Sequence, residues 1–148
     1  MWLILVCLLV AGGPAAKKKA SPVMQIKFVR SGGFAGAATN VAGTVEFGEQ
    51  GAQVHAEATD YHRELAPQEG EQLRADADPG ALANAAVPAT GAVRDGYQYD
   101  IAVVTKDGKS HSLTLRQGDK ATRLGSWIQD EAEKIWRYRV AARKLPQP

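Results

Sequence analysis

Period-two alternation on both sides of a glycine-rich heptapeptide is the feature that most narrows the fold. Met24-Gln25-Ile26-Lys27-Phe28 alternates apolar and polar residues, and the β-branched stretch from Thr39 to Phe47 does so again. Alternation of this kind belongs to a half-buried strand. Between the two runs lies Arg30-Ser31-Gly32-Gly33-Phe34-Ala35-Gly36. Glycines reach backbone angles that side chains forbid, so this segment can turn tightly and let another surface approach. A phosphate cradle instead runs from a strand into a helix whose amino end holds the anion, and it carries Gly-Lys-Ser/Thr. Here a strand follows the loop and that tripeptide is missing, so nucleotide binding is set aside. Phe34, the one bulky residue of the loop, leaves two readings. It folds back into the core and holds the turn, or it is presented to a partner.

The rest of the chain reads as further strands and two helices. Gly48-Glu49-Gln50-Gly51 is a turn cluster, and Gln53 to Tyr61 resumes alternation, which makes a hairpin. Pro67 suits a first helical position, with Gln68 to Ala77 a short polar helix stopping before Pro79. Gly80 to Gly91 is alanine-rich and reads as a loosely packed helical turn followed by a loop. Tyr97 to Lys106 is the clearest strand, with Tyr97, Tyr99, Ile101 and Val103 on one face. Asp107-Gly108 has the composition of a type I′ hairpin turn, and Ser110 to Arg116 returns with His111, Leu113 and Leu115 on one face. Ala121 to Lys144 is a long helix with the stripe Leu124, Trp127, Ile128, Glu131 and Ile135. Its basic end, Lys134 to Lys144, suits the negative end of the helix dipole. The predicted fold is α+β: an antiparallel sheet of four to five strands, a short middle helix and a long C-terminal helix packed on one face. There is no internal repeat.

The beginning of the chain reads as a targeting segment. Trp2 to Gly13 is almost wholly apolar and is followed by Pro14, Ala15 and Ala16. It is shorter than the roughly 20 residues a membrane span needs and matches a signal-peptide core. The expected organisation is a signal peptide at 1–16, a linker at 17–23, one domain at 24–144 and a tail at 145–148. Secretion or a periplasmic location follows, with an uncleaved N-terminal anchor as the alternative. Cleavage near Ala16 removes Cys7, the only cysteine, so the mature chain has neither thiol nor disulfide. Val6 stands where a lipoprotein signal needs a small residue. A net charge of +2 is too small for a nucleic-acid footprint, and Lys17-Lys18-Lys19 reads as charge flanking the leader.

No catalytic set emerges. His55 and His62 are seven apart in what reads as one strand, an odd separation that puts them on opposite faces, so no shared metal site is expected. His-Glu-x-x-His and Gly-x-Ser-x-Gly are both missing. His55-Ala56-Glu57 lacks the downstream Cys-x-x-Cys of a zinc deaminase. Neither cofactor nor bound metal is expected, and the reading is a non-enzymatic, monomeric binding protein.

Some of these residues carry a resemblance. Gln25-Ile-Lys-Phe-Val-Arg30 running into Ser31-Gly-Gly-Phe-Ala-Gly36 resembles the amino-terminal signature of the emfourin-type (protealysin inhibitor) family. Tyr97-Gln-Tyr-Asp-Ile101, the Asp107-Gly108 hairpin and a last helix with Trp127 and Ile128 are similar to its second half. The likeness covers roughly Met24 to Arg143. The hairpin from Thr39 to Tyr61 and the leader are departures from shorter relatives.

The resemblance implies a proteinaceous inhibitor of thermolysin-like zinc metalloproteases, blocking the active-site cleft through flexible loops. A catalytic zinc keeps one open position, which a carboxylate or carbonyl can occupy while an apolar side chain fills the neighbouring substrate pocket. On that implication Arg30, Ser31, Gly32, Gly33, Phe34, Ala35 and Gly36 contact the protease. Asp95, Asp76 and Asp78 are the candidate ligands to its zinc. Two alternatives are an exported non-catalytic module that binds envelope or polysaccharide, and a folding partner of one protease. Tyr97, Tyr99 and Trp136 exposed in a row would favour the polysaccharide reading.

Overall fold

The computed structural model describes residues 22–83, 96–117 and 122–144. They form one antiparallel sheet of six strands in the order β4-β3-β2-β1-β5-β6. The central strand β1 (Val23–Gly32) lies between β2 (Val41–Gly48) and β5 (Tyr97–Thr105). Strand β3 (Gly51–Ala56) and the short β4 (His62–Glu64) extend one side, and β6 (Ser110–Arg116) closes the other. Three helices accompany the sheet: α1 (Pro67–Asp76), α2 (Pro79–Ala83) and α3 (Arg123–Lys144).

The α+β fold with its antiparallel sheet and long last helix is as expected, but the strand count is six. The extra strand, β4, follows directly on the stretch read as a single run from Gln53 to Tyr61. The ladder of that run breaks after Ala56, and the Ala56 amide donates to the Tyr61 carbonyl as the chain doubles back. The Thr59 hydroxyl caps that turn by accepting from the Tyr61 amide at 3.1 Å. His62 therefore pairs directly opposite His55. The two histidines share a face, contrary to their expected separation, because they belong to neighbouring strands. Among the described residues, no three of His, Cys, Asp and Glu gather into a metal-holding group.

The second hairpin also differs in detail. The Gly108 amide donates to the Thr105 carbonyl, and Thr105 in turn donates to the Lys109 carbonyl. That closes a three-residue loop, Lys106-Asp107-Gly108, with the positive φ of 81° at Gly108. It is not the two-residue Asp107-Gly108 turn that composition predicts.

Alternation decides which face of the sheet is covered. Ile26, Phe28, Val45, Val54, Ile101 and Val103 are all at most 2% exposed and face the helices. Helix α3 packs against β2, and α1 against β3 and α3. Helix α3 contributes Leu124, Ile128, Ala132 and Ile135, each nearly fully buried. Gly43 faces inward where a Cβ would run into the Phe28 ring, so a glycine is needed there to seat the aromatic. No helix among the described residues is long and apolar enough to cross a membrane.

Candidate functional site

The glycine loop leaves the sheet at one end, where β1 stops and β2 and β5 begin. It comprises a turn and then a short 3-10 helix over Gly36–Thr39 before β2 starts. The Gly36 amide donates to the Gly33 carbonyl at 3.1 Å, which places Phe34 and Ala35 at the apex of a four-residue turn. Phe34 is 96% exposed. It points outward, and the core does without it.

A dense set of hydrogen bonds holds the base of this turn. Arg30 sits beneath it, 1% exposed, and donates from Nε at 3.2 Å and Nη2 at 2.9 Å to the Thr39 carbonyl. Its Nη1 donates to Glu133 of α3 at 3.2 Å, and its guanidinium lies 4.6 Å from the centroid of the Tyr97 ring. The Thr39 hydroxyl lies 2.8 Å from the Gly32 carbonyl and 2.9 Å from that of Gly36. Arg139 of α3 donates to the Ala38 carbonyl at 2.6 Å and the Asn40 carbonyl at 2.8 Å. Two arginines thus hold three consecutive carbonyls. The Gly33 amide donates to the Gly96 carbonyl, tying the turn to the start of β5.

Two glycines do specific work here. Gly33 has φ 81°, and a Cβ there would strike the Tyr97 ring; Gly32 has φ 82° with the Gly96 carbonyl at 3.0 Å from where its Cβ would be. These positions need both the backbone angle and the missing side chain. Glycine here serves close approach and tying-down.

Not every residue assigned to the protease contact can reach one. Arg30 is a brace beneath the turn, since a side chain 1% exposed meets no partner. Ser31 and Gly33 are half-buried, and Gly32, Phe34, Ala35 and Gly36 are exposed.

Asp76 and Asp78 lie at the far end of the molecule from Phe34. Arg123, at the start of α3, donates to both Asp76 oxygens, at 2.6 and 2.8 Å. From Arg123 to Arg139, which clamps the loop, a helix rises about 24 Å. Asp76 is thus committed to an ion pair and too distant to share a cleft with Phe34. Asp78 accepts from the Gly80 amide at 3.3 Å at the entry to α2. Asp95 lies outside the described residues.

Sequence reading also missed a buried carboxylate network. Glu131, 0% exposed, accepts from the Tyr61 hydroxyl at 2.8 Å and from Arg63 Nε and Nη2 at 3.1 and 2.7 Å. Lys134 Nζ is 3.2 Å away. Arg63 also reaches both oxygens of Glu69, which accepts from the Trp127 indole at 2.9 Å. Burial alone would raise the Glu131 pKa, but bonds and charge from Arg63, with Tyr61 and Lys134, hold it below the ordinary carboxylate value. The Arg63 bond lowers Glu69 to about 2 against the opposing effect of burial, with help from Trp127. Burial first, and then the Glu131 bond, push Tyr61 up to about 12. With so many donors aimed at them, these carboxylates join β4, α1 and α3. The signal was in the sequence: a glutamate inside an apolar helical stripe requires a partner.

An open groove of about 670 Å³, lined by Glu46, Glu49, Glu64, Phe47 and Leu65 among others, lies at the end of the sheet away from Phe34. The conspicuous loop is thus a projection. Tyr99 is 5% exposed, while Tyr97 and Trp136 are partly buried against the core, so these aromatics form no exposed row for a sugar to stack on.

A scan against protein-family models finds no match, and searches of curated proteins and of solved structures find none either. The likeness to emfourin-type inhibitors rests on the residues quoted for it.

Proposed function

We propose that this chain is an emfourin-like inhibitor of thermolysin-like zinc metalloproteases, docking by inserting the Phe34 turn into the active-site cleft. The observation that carries the reading is Phe34 itself, 96% exposed at the apex of a turn tied by Arg30, Thr39 and Arg139. A lone aromatic held out on a braced turn is a hot-spot geometry: a large apolar anchor whose scaffold is ordered before binding. Burying the ring contributes about 2–3 kcal/mol. Ala35 and Gly36, exposed beside Phe34, carry little or no side chain, so the apex of the turn can approach a cleft wall closely.

The test is to titrate the purified domain against several thermolysin-like proteases and follow peptide hydrolysis. The expected result is stoichiometric loss of activity at micromolar protein or below. Full activity of every protease at that concentration overturns the reading. Capture of a protease that keeps its activity would point instead to a folding partner.

A further inference from the structure

We infer that the target's cleft carries an acidic rim around the apolar pocket that receives Phe34. This deepens and rests on the inhibitor reading, and names the chemistry of the partner surface. It comes from how charge is distributed along the sheet. The last turns of α3 lie beside the Phe34 turn, because Arg139 bonds the Ala38 and Asn40 carbonyls. Ala38 is four positions beyond Phe34, so their Cα atoms are at most about 14 Å apart. Arg30 and Arg137 share a single carboxylate, Glu133, leaving one positive charge unmatched. Arg139 bonds neutral carbonyls through Nη1 and Nη2, leaves its Nε without a partner, and pairs with no carboxylate among the described residues. Arg143 and Lys144 are exposed and have no ion-pair partner among the described residues. Arg143 is one turn beyond Arg139, on the same helix face.

The nearby negative charge is smaller. The carbonyls ending α3 return about half a charge. Glu57 and Asp60 belong to the adjoining β3–β4 turn, where Asp60 accepts from the Tyr138 hydroxyl. The opposite end of the sheet is acidic on balance: Glu46, Glu49, Glu64, Glu71, Asp78 and Asp107 stand there against Arg74, Lys106 and Lys109, while Asp76 is matched by Arg123. The described residues therefore form a charge dipole whose positive pole lies beside the protruding Phe34. Such a field orients the domain as it approaches an acidic partner and speeds encounter more than it tightens the final complex.

The experiment measures association and dissociation rates by stopped flow with a thermolysin-like protease that the domain inhibits. Association should fall about tenfold or more between 20 and 500 mM NaCl. The double substitution Arg143→Glu with Lys144→Glu should slow low-salt association by about tenfold and leave dissociation within about twofold. Lys106→Glu with Lys109→Glu, the same charge change at the far end, should leave association within about twofold. Phe34→Ala should speed dissociation and keep the salt slope, separating the ring's part from that of the charges. Circular dichroism confirms that each variant is folded. Salt-independent association, or equal slowing by both charge reversals, overturns the acidic rim while leaving inhibition intact. Salt-sensitive binding to phosphatidylserine vesicles, with none to phosphatidylcholine, overturns it in favour of a membrane surface. If no protease is inhibited, the inhibitor reading falls and the acidic rim with it.

Discussion

Gly33 and Gly36 look alike in the sequence and differ in what surrounds them. Both have positive φ, 81° and 59°, but a Cβ on Gly33 meets the Tyr97 ring whereas one on Gly36 meets open space. Gly36→Ala should cost about 1 kcal/mol, the strain of the backbone angle alone. Gly33→Ala should cost about 2–4 kcal/mol, because the ring must also move off its contact with Arg30. Urea unfolding of the two variants checks the ordering, and equal losses would contradict it. That this segment needs glycine was legible from composition. Which glycine matters most was not, because the deciding neighbour, Tyr97, is distant in sequence and arrives only through the β1–β5 register. The orientation of Phe34 was open for the same reason: nothing local says whether the core has room for it.

At the level of elements, periodicity placed most strands and both longer helices within a few residues of where they lie. Its failures have local causes. Alternation ran on through Glu57 to Asp60, so the turn that creates β4 was invisible, and with it the pairing of His55 and His62. Glu131 was counted within the apolar stripe of α3, correctly as to burial, but its partners come from β4. Its energetic role is testable. Glu131→Gln weakens the bonds to Tyr61 and Arg63 and removes the charge that balances Arg63 at a fully buried position. A loss of about 2–4 kcal/mol is expected. Glu133→Gln, at a side chain 41% exposed that pairs with the buried Arg30, should cost less, about 1–2 kcal/mol. Chemical denaturation of both variants decides this, and a Glu131→Gln loss no greater than that of Glu133→Gln would contradict the buried-network account.

For the whole molecule, the same network sets how stability depends on pH. Glu69 and Glu131 have folded pKa values below their unfolded ones, so the unfolded chain takes up protons first as pH falls. Their stabilisation is complete above about 4.5 and is lost progressively as pH drops through the Glu69 value of about 2. With allowance for solvent at a side chain 31% exposed, Glu69 accounts for on the order of 1–3 kcal/mol. Tyr61 acts in the other direction. Raised from 10 to about 12, its contribution is present below 10 and declines as pH rises between those values. The thermal midpoint should therefore hold level between about pH 5 and 9 and fall on both sides. Glu69→Gln should flatten part of the acid limb, and an acid limb unchanged by it would contradict the assignment.

The central claim, that the exposed ring on the braced turn is what engages a metalloprotease, is tested most directly by one comparison. The inhibition constants of the wild-type domain and Phe34→Ala are measured against the same thermolysin-like protease. The account predicts a folded variant with an unchanged thermal midpoint, since the side chain is 96% exposed, and inhibition weaker by about 30-fold or more. A folded Phe34→Ala domain that inhibits as well as wild type would contradict it.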